Sequence, residues 1–187
     1  MALKKRGIVV GLGSIGRRHA RLLQQRDNLE IEFCETQDEM LNLAYEEIGQ
    51  LPTYHTYDEA LATAPDFVVV ATPHNLHCTQ TVKALDLGIH VLCEKPMSDS
   101  LSDALLMKNA AAKSGAVLSV GFMMHFNPAF IHIKQLIDDE ELGNILAIQY
   151  KVGSYITLVN SRSHYQADLN GALLMDYAHQ PDIVYWL

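Results

Sequence analysis

Gly7-Ile8-Val9-Val10-Gly11-Leu12-Gly13-Ser14-Ile15-Gly16 is the stretch that decides how this chain is read. Gly7–Gly11 has the length and apolar character of a buried strand, and residues Ser14–Arg26 behind it read as a helix. The glycines between them fit G-x-G-x-x-G. The pattern is weak by itself, but here it leaves a strand and opens a helix, the context its chemistry needs. Gly11 permits a tight turn, Gly13 lets a pyrophosphate approach the backbone, and Gly16 lets helix and strand pack closely. Ser14 and Ile15 lie at the helix N-terminus, where N–H groups and the positive dipole end face a phosphate. Gly11, Gly13, Ser14, Ile15 and Gly16 are therefore expected to bind a dinucleotide.

Outward from the loop, strand-like and helix-like segments alternate. Leu29–Cys34 is a second strand and Gln37–Ile48 a second helix. Pro52–His55 reads as a short strand, and Asp58–Thr63 as a short helix. Phe67–Ala71 is a strand, Asn75–Leu87 a helix, Ile89–Cys93 a strand and Ser100–Ser114 an alanine-rich helix. Val117–Gly121 is the last strand of the series. Continuous apolar strands alternating with helices indicate an α/β fold with a doubly wound parallel sheet covered on both faces. Near residue 122 the pattern changes. Pro128–Ile137 reads as a helix ending in the acidic run Asp138–Glu141, a solvated helix end. Ile145–Val159 reads as one long alternating strand, as in a mostly antiparallel sheet. Ala172–Leu187 reads as a helix. The expected domains are residues 1–122, binding the dinucleotide, and residues 123–187, the start of an α+β domain that looks truncated.

Two charged positions fall where such a sheet binds its ligands, at the carboxyl ends of strands. Glu35 ends the second strand, 22 residues after Gly13. A carboxylate there accepts hydrogen bonds from ribose hydroxyls and repels a 2′-phosphate, which predicts NAD in preference to NADP. Arg17 and Arg18 lie close in sequence, and a flexible arginine there would accommodate a phosphate. Glu94-Lys95-Pro96 follows the strand Ile89–Cys93, and Pro96 stops strand and helix propagation alike. Lys95 is thus placed at a ligand crevice.

Composition narrows the function classes. The net charge of −8 argues against nucleic-acid binding, although residues 1–26 hold seven of the fourteen Lys and Arg and no acid. That local positive field suits a small anionic ligand, or is ordinary solvated surface. No apolar run is long enough for a membrane span, and the N-terminus lacks the features of a signal peptide. Three cysteines, an odd number without metal-type spacing, favour a reducing cytoplasm. His74 and His77 suggest a metal pair, but no third ligand is evident and no metal is expected.

With these residues in hand, the chain resembles the Gfo/Idh/MocA family of NAD(P)-dependent, mostly sugar-acting oxidoreductases. Gly11–Gly16 with His19 resembles its nucleotide loop. Ala71-Thr72-Pro73-His74-Asn75-Leu76-His77 resembles its T-P-N-x-x-H segment, and Gly88 to Pro96 its G-K-H-V-L-C-E-K-P segment with one change. Gly121-Phe122 through Asn127-Pro128 resembles the joint between its two domains, and Gly171 to Asp182 its catalytic helix. The resemblance implies a Rossmann-like first domain in which Lys95 contacts cofactor and substrate, and Glu94 and Pro96 shape the turn that aims it. Thr72 and Pro73 would lie along the nicotinamide side of the cleft, and His74 and Glu94 are also expected among the cofactor-binding residues. His77 either contacts the cofactor or serves as a capping or packing histidine.

Asp176, His179 and Asp182 recur every three residues, so on a helix Asp176 and His179 share a face. Oxidising a carbinol removes a hydride from carbon and a proton from oxygen. Histidine takes such a proton near neutral pH, and a charged Lys95 stabilises the developing alkoxide. Asp176 would orient the substrate or the imidazole. Many relatives place the aspartate and histidine four apart; Asp176-Tyr177-Ala178-His179-Gln180-Pro181-Asp182 resembles a subset with the three-residue step, often linked to surface-polysaccharide sugars. Gln180, Pro181 and Met123-Met124-His125 depart from the family pattern, and Pro181 is expected to kink the helix or force a late start. Arg162, His164 and Tyr165 lie in a loop that either reaches a sugar or is surface.

The expected function is hydride transfer between a secondary hydroxyl of a sugar, cyclitol or sugar nucleotide and NAD. The alternatives are a non-enzymatic dinucleotide-binding regulator on the same scaffold and a reductase of a small non-sugar carbonyl. The chain offers one strand of the family's second sheet, so it is expected to be a fragment or to be completed by a partner chain. A homo-oligomer formed through that sheet is expected.

Overall fold

The computed structural model describes residues 3–151 and 178–187 of the chain. They fall into two compact units, residues 1–121 and 122–187. The first unit is a six-stranded sheet in the order β3-β2-β1-β4-β5-β6, with every strand parallel to its neighbours. The strands are β1 Lys5–Val10, β2 Leu29–Cys34, β3 Thr53–Tyr54, β4 Phe67–Val70, β5 His90–Cys93 and β6 Leu118–Val120. Between them run α1 Ser14–Gln24, α2 Asp38–Ile48, α3 Tyr57–Ala62, α4 His77–Asp86 and α5 Leu101–Ser114. This is the doubly wound, Rossmann-like arrangement expected from the alternating pattern. The strand order reverses between β1 and β4, and that switch point opens a crevice beyond the carboxyl ends of the strands.

Strand periodicity divides the core into two layers. Successive side chains point to opposite faces. Ile8 and Val10 of β1, with Val68, Val70, Val91 and Cys93, face Leu61, Leu85 and Met107 on α3, α4 and α5. Val9, Ile31, Phe33 and Val69 face Ala20 of α1 and Leu41 and Ala44 of α2. The central strands therefore have no polar face, which is why they read as unbroken apolar runs. The helix ends are set locally. Thr56 and Glu59 form a reciprocal capping box on α3, and Ser100 caps α5 by accepting from the Asp103 N–H.

The segment expected as one helix from Asn75 is two elements, a single 3-10 turn at His74–Leu76 and then α4. The second unit contains α6 Pro128–Asp138 and α7 His179–Trp186. Asn127 caps α6 through its side chain, and Pro128 takes the first turn, where a missing N–H costs nothing. The long strand expected at Ile145–Val159 is corrected in its described part: residues 145–151 have no regular structure, and residues 152–159 lie outside the described residues. An unpaired strand cannot satisfy its backbone, and no partner strand occurs in this unit among the described residues. The helix expected over residues 172–187 begins, as described, at His179. Pro181 then falls in the first turn, whose N–H groups need no intrahelical partner. No helix among the described residues is long and apolar enough to cross a membrane.

Candidate functional site

The glycine loop leaves β1 at Gly11, whose φ of +85° is open to glycine alone at low cost. A Cβ there would also lie 2.9 Å from Thr72. A Cβ on Gly16 would lie 1.8 Å from the Gly11 carbonyl oxygen, so the loop and α1 meet backbone to backbone. Around Gly13 the opposite holds, with nothing within 4 Å of an added Cβ. Gly13 is also the N-cap of α1 and brings no side-chain cap. An open approach, uncapped N–H groups and the positive helix end fit a pyrophosphate. Ser14 and Ile15 are exposed beside it.

Glu35 follows β2 and is buried, with 8% of its surface exposed. Its Oε2 accepts from the Leu12 N–H at 2.6 Å, and its Oε1 accepts from the Thr36 and Gln37 N–H groups at 2.8 and 3.0 Å. A carboxylate offers about four acceptor positions. Three are used to hold the glycine loop against the β2 turn, which leaves capacity for one further donor. Arg17 is committed elsewhere: it donates to the Leu12 carbonyl at 2.8 Å and pairs with Glu47 at 3.1 Å.

The turns after β4 and β5 are held together. The Thr72 hydroxyl donates to the Gln80 side-chain oxygen at 2.6 Å, and Pro73 is exposed. His74 is buried and pairs with Asp99 at 3.1 Å. His77 is 1% exposed, with Nδ1 2.8 Å from the Pro96 carbonyl oxygen and Nε2 2.9 Å from the Thr72 carbonyl oxygen. These two contacts tie the turns after β4 and β5 together. Glu94 accepts from His19 Nε2 at 2.6 Å and from the Lys95 N–H at 3.1 Å. Burial opposes its charge, but the bonds from His19 and the Lys95 amide, with the charges of His19 and Lys95, hold its carboxyl below the usual range. Lys95 is half-buried at the carboxyl end of β5. The glycine loop, Glu35, Thr72 and Lys95 thus gather at one end of one sheet. A hollow lined by Lys4, Arg6, Glu30, Asp66 and His90 lies at the amino ends of the strands, the wrong end for a nucleotide in this fold.

In the second unit His179 is the first residue of α7, and its ring meets Phe122 edge-on at 6.0 Å. Asp176 lies outside the described residues, as do Arg162, His164 and Tyr165. Asp182, one turn beyond His179, places its Oδ2 2.8 Å from His125 Nε2. The His125 ring stacks on Trp186 at 4.8 Å. Sequence reading missed the partners His19–Glu94, His74–Asp99 and His125–Asp182. Each joins residues distant in the chain, so no spacing rule reveals it. The residues themselves carried signals, such as His19 three residues beyond the last loop glycine, but their pairing did not.

Comparison with known proteins fits this geometry. Residues 5–122 match the model of the Gfo/Idh/MocA oxidoreductase family, NAD-binding Rossmann fold. Glucose-6-phosphate 3-dehydrogenase of Bacillus subtilis is 31% identical over 99% of this chain and 54% of its own length. An inositol 2-dehydrogenase/D-chiro-inositol 3-dehydrogenase of Lactiplantibacillus plantarum is 27% identical over 96% of this chain and 51% of its own. The WlbA dehydrogenase of Bordetella pertussis, solved with NADH and UDP-GlcNAcA, superposes with a TM-score of 0.82 at 27% identity, covering 100% of this chain and 56% of that one. The chain spans about half the length of these relatives. With the family pattern matched across the whole parallel-sheet unit, this chain belongs to the Gfo/Idh/MocA oxidoreductase family.

Proposed function

We propose that the protein is an NAD-dependent dehydrogenase acting on a secondary hydroxyl of a sugar, cyclitol or sugar nucleotide. The observation that carries this reading is the gathering of an open glycine loop, Glu35 and Lys95 at the carboxyl end of one sheet. The substrate class is that of the relatives, which act on a sugar phosphate and on inositols or were solved with a sugar nucleotide.

Bound NAD supplies the hydride acceptor. Gly11, Gly13, Ser14, Ile15 and Gly16 would hold its pyrophosphate, and the remaining acceptor capacity of Glu35 would take a ribose hydroxyl. A 2′-phosphate would meet that carboxylate at close range, and Arg17 is already engaged, so NAD is preferred to NADP. Thr72 and Pro73 would line the nicotinamide end, with His74 beside them in the chain. Lys95 holds the substrate oxygen and stabilises the alkoxide as it forms. His179 accepts the hydroxyl proton, and Asp176 orients the substrate or the imidazole. The carbinol carbon loses hydride and the oxygen loses its proton, leaving a ketone. Residence in the cytoplasm and a homo-oligomer formed through the second domain belong to the same reading, the first resting on three free, buried cysteines.

The test is a panel of sugars, cyclitols and sugar nucleotides with NAD, followed at the nicotinamide absorbance band. Turnover that Lys95→Ala cuts by about 100- to 1,000-fold while NADH binding survives supports the reading. Tight NADH binding with no turnover across the panel points instead to a regulator.

A further inference from the structure

We propose that His19 and His77 are positioning residues for Lys95, clamping its turn from two sides. This rests on the reading of Lys95 as the lysine that meets the reacting oxygen. Its neighbours in the chain are each held by a histidine from a different helix. On one side His19, from α1, donates to the Glu94 carboxylate at 2.6 Å, and the other oxygen of that carboxylate accepts from the Lys95 amide at 3.1 Å. On the other side His77, at the start of α4, lies 2.8 Å from the Pro96 carbonyl oxygen and 2.9 Å from that of Thr72.

The chemistry of each link explains its effect. A carboxylate accepting from a ring N–H and a backbone N–H is a charge-assisted bridge, shorter and stronger than a neutral one. It joins the helix that carries the nucleotide loop to the amide of Lys95. Carbonyl oxygens only accept, so a singly protonated His77 ring bonds one of its two carbonyls at a time, and both only with two ring protons. Either way, the buried ring fills the space between the turns after β4 and β5. Gly121 completes the seat: a Cβ there would lie 3.0 Å from Glu94 Oε1. The main chain at Lys95 is thereby fixed, and a flexible four-carbon stem starts from a defined point. Misplacing a reacting group by about 1 Å costs on the order of 100-fold in rate.

The experiment is a double-mutant comparison on the catalytically competent protein. His19→Leu and His77→Leu are made in the parent and in Lys95→Ala, with His19→Gln, His77→Asn and His77→Gln as variants that keep one donor. In the parent, each leucine variant is expected to lower kcat by about 10- to 100-fold, with partial recovery in the amide variants. In Lys95→Ala the same changes are expected to cost no further kcat. Amide hydrogen exchange at Lys95, which needs no turnover, is expected to rise about tenfold in His19→Leu and in Gly121→Ala. Equal losses of kcat with and without Lys95, or unchanged exchange at Lys95, would overturn the clamp. If His77→Leu fails to fold, the Asn and Gln variants carry the comparison. Should Lys95→Ala leave kcat intact while exchange at Lys95 still rises in His19→Leu, the catalytic reading of Lys95 falls and the clamp on its turn stands.

Discussion

The carbonyl oxygen of Gly11 lies 1.8 Å from the place a Cβ on Gly16 would take. The first turn of α1 therefore rests directly on the backbone that closes β1. Gly13, between them, has nothing within 4 Å of such an atom. Two glycines three residues apart in one loop thus do opposite work, one allowing contact within the protein and the other leaving space outside it.

Alanine at these two sites should separate folding from binding. Gly16→Ala forces the loop off α1 and is expected to destabilise the unit by about 1–3 kcal/mol, read as a lower urea midpoint. Gly13→Ala should leave that midpoint nearly unchanged and weaken NADH binding, followed by nicotinamide fluorescence. Parent-like NADH affinity in Gly13→Ala would remove the pyrophosphate from this loop.

Glu35 ties three backbone N–H groups to one carboxylate. Glu35→Ala leaves them without that acceptor, and the expected cost is about 1–3 kcal/mol. The same change removes the charge that, on the proposed reading, would repel a 2′-phosphate. NADPH should then bind nearer to NADH in affinity. Thermal unfolding and parallel titrations with the two nucleotides check both halves.

The Glu94 carboxyl sits below the usual range in the folded chain. A lowered value means that the unfolded chain binds more protons in acid. The stabilisation is complete above the ordinary carboxylate range and is lost as pH falls through the depressed value. Urea midpoints measured from about pH 6 down to about pH 3 should fall, and Glu94→Gln should flatten that slope. An equally steep acid limb in Glu94→Gln would assign it to other carboxylates.

Burial, then the nearby Glu35 and Glu59 charges, pushes the Cys34 thiol up to about 12. Burial likewise pushes Cys93 up to about 12, and Cys78 is also raised. Thiolate is the reactive form. A thiol reagent near pH 8 should therefore find these cysteines slow in the native protein and all three fast in urea.

The only tryptophan, Trp186, stacks on His125, which also pairs with Asp182. His125→Ala removes both contacts. An aromatic pair contributes about 0.5–1.5 kcal/mol beyond its buried area. The indole emission should shift to longer wavelength in His125→Ala, at a denaturant concentration where the parallel sheet remains intact. Unchanged emission would place Trp186 in a different environment.

Much of the parallel-sheet unit was legible because its signals are local. Gly11, Gly13 and Gly16 mark a strand-to-helix turn by spacing alone. Val68, Val69 and Val70 form an unbroken apolar run because both faces of β4 are covered. Residues 145–151 were misread for the complementary reason. Alternation is a necessary mark of a strand, but a strand also needs a neighbour to take its hydrogen bonds, and that neighbour is not encoded in the segment itself.

The sequence by itself determined the sheet, the glycine loop and the placing of Lys95 at a strand end, because strand period, glycine spacing and a proline stop act over a few residues. The tertiary structure alone decided what those residues touch. It occupied the Glu35 carboxylate with three backbone amides, set His77 against the carbonyls of two turns, and brought His19 against Glu94, 75 positions away in the chain. Such partners meet only when helices pack on a finished sheet, since packing selects them by position in space and leaves no period in the chain.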